Sequence, residues 1–165
     1  MKMRFLTVVA AVALLAACSS NEEAGKANTG AGTAAATTAA AKPGVVPGSQ
    51  ADFVANVGDR VFFAFDKSDL SAQARQQLAS WVVFLKKYPQ DKLTVEGHCD
   101  DRGTREYNLA LGARRANSVK EFLVAQGVPA DRLKTISYGK ERPAVLGDNE
   151  TAWAQNRRGV GVVGE

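Results

Sequence analysis

Three charged residues stand where they could hold a charged ligand: Asp66, Asp100 and Arg115. Each acid closely follows a short run that reads as a strand, residues 61–65 and 93–98. If the two strands are parallel, both carboxylates lie at one carboxyl edge of the sheet, where open α/β sheets bind ligands. A plainer use is also open to them, Asp66 in an Asx turn and Asp100 as a cap for the loop Asp101-Arg102-Gly103. Arg115 is harder to set aside. At about 100° per residue, Leu111, Val119, Phe122 and Leu123 form one apolar arc, and Arg115 and Asn108 fall inside it. An unpaired buried charge is very costly. Either Arg115 makes a buried ion pair with Asp100, or it offers its planar fork to a ligand carboxylate while Asp100 takes an ammonium. Arg114 lies at the flank and can stay solvated.

His98-Cys99-Asp100 superficially suggests metal ligation or a thiol hydrolase. Adjacent strand residues point to opposite faces, so His98 is not a base for Cys99. With one His and two Cys in the chain, no zinc constellation is evident. The sequence therefore predicts no catalysis, no metal site and no cofactor, and Cys99 reads as a buried, inert thiol.

The elements that must position these residues are legible in outline. The run at residues 61–65 ends in Asp66-Lys67-Ser68-Asp69, and Ser71 suits a helix N-cap. Leu78, Trp81, Val82 and Leu85 repeat at helical spacing, and Pro89 closes that helix. A second strand covers residues 93–98 and a second helix about 106–126. Gly127, Val128 and Pro129 form a C-terminal stop signal for the latter. A third strand is expected at residues 133–138, a short helix at 149–156 and a last strand at 160–163. The order β-α-β-α-β-(α)-β predicts an α+β domain with helices on one mixed sheet. Right-handed crossover makes the first two strands parallel.

Upstream, the chain changes character. Lys2 and Arg4 precede an apolar stretch from Phe5 to Ala17, too short to span a bilayer and of signal-peptide length. It ends Leu15-Ala16-Ala17-Cys18, followed by Ser19-Ser20-Asn21, and this resembles a bacterial lipobox. The resemblance implies removal of residues 1–17 and lipid on Cys18; with Asn21 rather than an acid nearby, it favours the outer membrane. Residues 18–50 are Ala-, Gly-, Ser- and Thr-rich without an aromatic, which predicts a disordered tether. Such a coil spans roughly 30 Å on average. All twelve aromatics but Phe5 fall in residues 51–165, the expected domain. The formal charge of +4 falls to +2 without Lys2 and Arg4, which argues against nucleic acid as a partner.

The run Thr94-Val-Glu-Gly-His-Cys-Asp-Asp-Arg-Gly-Thr-Arg-Glu-Tyr-Asn-Leu-Ala-Leu-Gly-Ala-Arg-Arg-Ala116 is similar to the signature of OmpA-like peptidoglycan-binding domains. Phe65-Asp-Lys-Ser-Asp69, Ser137-Tyr-Gly-Lys-Glu-Arg-Pro-Ala-Val-Leu146 and Asn156-Arg-Arg158 resemble lipid-anchored members of that family. The resemblance covers residues 59–163 and implies an OmpA-like sandwich. It implies binding of the peptidoglycan stem peptide at meso-diaminopimelate, with Asp100 meeting the ammonium and Arg115 the carboxylate. Phe65, Asp66, Asn108 and Leu111 map onto the lining of the same pocket. It further implies TolB and other Tol proteins as periplasmic partners. The other reading that stays open is a structural module in which the acid–guanidinium pair only holds the fold.

Overall fold

The computed structural model describes residues 44–164. The expected leader (1–17), the lipid site at Cys18 and the tether up to residue 43 lie outside the described residues. Among the described residues, four α-helices and four strands follow one another as α1 (Gln50–Asp52), β1 (Arg60–Phe62), α2 (Ala72–Lys87), β2 (Lys92–His98), α3 (Arg105–Ala125), β3 (Leu133–Gly139), α4 (Glu150–Asn156) and β4 (Arg158–Gly164). A π-helical turn, Phe53–Val57, extends α1.

The strands form one sheet in the order β1-β4-β2-β3. β4 runs antiparallel to both β1 and β2, while β2 and β3 are parallel neighbours. β1 and β2 are thus parallel as expected, but with β4 inserted between them. Their carboxyl ends still share an edge, and the loops carrying Asp66 and Asp100 leave from it.

The helix signals act as read. Ser71 accepts a hydrogen bond from the Ala74 amide and starts α2. Leu78, Trp81 and Leu85 are fully buried along its inner stripe. α3 ends as Gly127 takes φ +90° and the Val128 amide reaches back to the Leu123 carbonyl. Thr104, not foreseen as a cap, accepts from the Tyr107 amide and starts α3. The core lies between α2, α3 and one sheet face, built around Phe53, Val61, Trp81, Leu93, Val95, Val119 and Leu123. Gln50 ties α1 to β4: its side chain donates to the Gly161 carbonyl and accepts from the Val163 amide.

Two differences from the sequence reading bear on the site. β1 stops at Phe62 instead of continuing through Phe65. The carbonyls of Phe63 and Ala64 are taken by the side chains of Arg157 and Arg115 rather than by a strand ladder. The second concerns Gly97 of β2. A Cβ there would land on the carbonyl oxygen of Gly112 in α3, and a Cβ on Gly112 would collide with Ser137 Oγ. The absence of side chains lets α3 sit directly on the β2 and β3 backbones, where Ser137 Oγ donates to the Leu109 carbonyl. This close approach brings the first half of α3 to the carboxyl end of β2.

Candidate functional site

Three segments converge at that edge: the loop after β1, the loop after β2 and the first turns of α3. They enclose a pocket of about 190 Å³ lined by Phe65, Asp66, Asp100, Arg102, Gly103, Tyr107, Asn108, Leu111 and Arg115. All six residues singled out from the sequence are among them. A larger hollow of about 370 Å³ lies elsewhere, between β1 and the start of α2, and its lining of Gln, Ser and apolar side chains carries only one charged residue, Arg60.

The loop after β2 is held from both sides. Asn108, buried in α3, donates from Nδ2 to the carbonyls of Arg102 at 2.7 Å and Thr104 at 3.0 Å. Lys140 Nζ donates to the carbonyls of Asp101 and Gly103. Cys99 Sγ, buried beneath, donates to the Asn108 carbonyl at 3.3 Å, and burial pushes its thiol pKa up. A thiol so placed stays protonated and unreactive.

Asp100 is 5% exposed. Its Oδ2 accepts from Arg102 Nη2 at 2.5 Å and from Arg157 Nη1 at 3.3 Å. Among the described residues, Oδ1 accepts no hydrogen bond. Burial opposes ionisation of this carboxyl, but the two guanidiniums outweigh it and hold its pKa below the usual carboxylate range.

Arg115 is 1% exposed and does not pair with Asp100. Nε donates to the Lys67 carbonyl at 2.8 Å, Nη1 to the His98 carbonyl at 2.8 Å and Nη2 to the Ala64 carbonyl at 3.2 Å. One planar fork thus ties α3 to the end of β2 and to the loop after β1. Burial lowers its pKa, while the guanidinium remains a cation at neutral pH. The buried Asp100–Arg115 ion pair, one of the two uses weighed from the sequence, is replaced by bonds to main-chain carbonyls. Leu111 gives the pocket an apolar floor, and Phe65 is 57% exposed at its rim. Asp66 takes φ +55°, a left-handed conformation that Asp tolerates better than most residues, and accepts a hydrogen bond from the Tyr107 hydroxyl.

Sequence reasoning missed Arg102, Tyr107 and the two residues that back the pocket, Arg157 and Trp153. Arg102 stands two positions after Asp100, but a loop gives no periodicity from which to read its direction. Arg157 and Trp153 arrive from α4 and its end, and only the tertiary fold brings them here. Arg157 donates to Asp100, to the Phe63 carbonyl and, at 2.6 Å, to Glu150. His98 is buried against Tyr138, ring centroids 5.5 Å apart, away from Cys99 chemistry. The arrangement offers a carboxylate and cations around a small half-open hollow, which suits an end group carrying both charges.

Comparison with known proteins supplies the context. Residues 62–157 match the model of the OmpA family. The chain is 58% identical over 118 residues to the peptidoglycan-associated lipoprotein of Agrobacterium fabrum, covering 72% of this chain and 67% of that one. It is 44% identical over 158 residues to the peptidoglycan-associated lipoprotein of Haemophilus influenzae, covering 96% and 95%. The crystal structure of the peptidoglycan-associated lipoprotein from Burkholderia pseudomallei superposes with a TM-score of 0.63 at 40% identity, covering 64% of this chain and 90% of that one.

Proposed function

This chain belongs to the OmpA family, among the peptidoglycan-associated lipoproteins, and from that premise we propose that its domain binds peptidoglycan non-covalently, at the meso-diaminopimelate of the stem peptide. The observation that carries the reading is the single pocket that gathers Phe65, Asp66, Asp100, Asn108, Leu111 and Arg115. Diaminopimelate ends in an ammonium and a carboxylate. Asp100 supplies the acid for the ammonium, and the buried guanidiniums of Arg115 and Arg157 supply the positive charge that draws the carboxylate. Arg115 contributes its charge at the base of the pocket and holds together the two loops that form the walls. No bond is made or broken.

In this reading lipid on Cys18 anchors the chain in the outer membrane and the domain faces the periplasm. Each buried acyl CH₂ contributes about 0.8 kcal/mol, so several chains anchor stably. Among the described residues, no helix is long and apolar enough to cross a membrane. The segment between lipid and domain sets the reach to the wall. TolB and the other Tol proteins are the partners this placement suggests, in envelope integrity and cell division, by analogy with the family.

Sedimentation of the purified Cys18→Ser chain with cell-wall sacculi tests the site. Asp100→Asn, which keeps the shape and removes the charge, is expected to lower the bound fraction at least tenfold, and free meso-diaminopimelate to compete with the wild type. Unchanged binding by a folded Asp100→Asn chain overturns the assignment. It would favour the second reading, for which the Arg102–Asp100–Arg157 cluster also speaks: a charge cluster that serves the fold alone.

A further inference from the structure

Arg102 is the pocket residue that the reading above leaves without a role. Its guanidinium carbon lies 4.0 Å from the ring centroid of Phe65 and 4.0 Å from that of Trp153, so the cation is held between two aromatic faces. Its Nη2 reaches Asp100 Oδ2 at 2.5 Å. One carboxylate and two π faces make a receptor for a cation. Here a side chain of the protein's own loop fills it.

The two arginines on Asp100 are held very differently. Arg157 is 6% exposed, and each of its three nitrogens has an acceptor, on Phe63, Asp100 and Glu150. The Arg102 side chain is 31% exposed, and its one side-chain hydrogen bond goes to Asp100. Its Nε is buried without a partner. Arg102 is thus the more exposed and less fully bonded of the two. The backbone of the loop is pinned by Asn108 and Lys140, so Arg102 can leave by a change of rotamer without the loop opening. Arg157 has no such freedom.

We propose that Asp100, Phe65 and Trp153 form a cation subsite that Arg102 occupies in the free protein, and that a ligand's primary ammonium enters by displacing the Arg102 guanidinium. The inference rests on the peptidoglycan reading and deepens it. Binding becomes an exchange of one cation for another, so the pocket never carries an extra positive charge beside Arg157. An anion of similar shape without an ammonium gains nothing from the exchange, which makes Arg102 a selectivity device. The apparent affinity is the intrinsic one reduced by the fraction of molecules with Arg102 out; closure about nine-tenths of the time weakens binding about tenfold.

The test measures by calorimetry the dissociation constants of free meso-diaminopimelate and of pimelate, which lacks both amino groups, for the full chain in detergent. Arg102→Ala is expected to lower the meso-diaminopimelate dissociation constant about tenfold and to leave pimelate no better. Arg102→Lys, which keeps a cation but not a stacking plane, is expected to fall between. Weaker or unchanged binding of meso-diaminopimelate by Arg102→Ala overturns the proposal, because Arg102 would then touch the ligand or play no part. A second readout needs no variant. Saturating wild type with meso-diaminopimelate should move the Arg102 Nε–H resonance to the position of a solvent-exposed arginine, and a resonance that stays put overturns the proposal as well. Failure of wild type to bind sacculi, or full binding by Asp100→Asn, would instead remove the underlying reading and this inference with it.

Discussion

Gly97 of β2 and Gly112 of α3 meet backbone to backbone, with no room for a methyl group on either. This contact sets the distance from α3 to the sheet. Asn108, Leu111 and Arg115 reach the pocket from that helix, so the same contact sets the depth of the site. Gly97→Ala is expected to cost about 3 kcal/mol, the upper range for overpacking, because the atom its methyl group would strike, the Gly112 carbonyl oxygen, is backbone. Urea unfolding measures it, and a loss below about 0.5 kcal/mol would show that the layers can part freely.

Arg115 is expected to be structural as well as local to the ligand. It serves three carbonyls from two chain segments, those of Ala64 and Lys67 in the loop after β1 and that of His98 at the end of β2. A lysine at this position carries its donors on one nitrogen and cannot reach all three. Arg115→Lys should therefore cost about 2–4 kcal/mol by leaving buried acceptors unmet. An unchanged unfolding midpoint would mean that those carbonyls find water instead. Loss of wall binding in any Arg115 variant has to be weighed against its melting curve.

Stability should fall in mild acid through His98. Burial, then the nearby charges of Arg158, Arg142 and Arg60, push its pKa down from 6.5 to about 4. The native state thus binds fewer protons than the unfolded chain between these values. Stability contributed by the neutral ring is complete above pH 6.5, declines as pH falls and is lost below about 4. The full loss is about 3 kcal/mol. Chemical denaturation across this window should show the slope, and His98→Asn should flatten it; an equal slope in both would place the acid sensitivity elsewhere. Asp100, with its lowered pKa, acts in the same direction at lower pH.

Cys99 is 2% exposed and its thiol pKa is raised by burial. In the Cys18→Ser chain it is the one thiol. Reaction with an aromatic disulfide at pH 8 should be slower than in 6 M urea by a factor of at least about 1,000, as expected when reaction waits for unfolding. Rapid labelling of the native chain would reveal a local opening beneath the pocket.

Much of this protein was decided locally. Ser71 caps, Gly127 and Pro129 stop, and the apolar stripes of α2 and α3 face inward wherever those segments pack, because such signals act over a few residues. The buried position of Arg115 was likewise legible, since it shares an arc with Leu111 and Val119. Its partners were not. Whether it paired with Asp100 depended on how near each lay to competing groups, and those came from residues far away in sequence. The tertiary structure gave Arg115 to three main-chain carbonyls, passed Asp100 to Arg102 and Arg157, and shortened β1 by turning its last carbonyls toward arginines. The insertion of β4 between β1 and β2, and the arrival of Trp153 beside Arg102, belong to the same class. Periodicity reports which face of an element is buried, but charge pairing and strand order are settled by long-range competition for contacts that no local window contains.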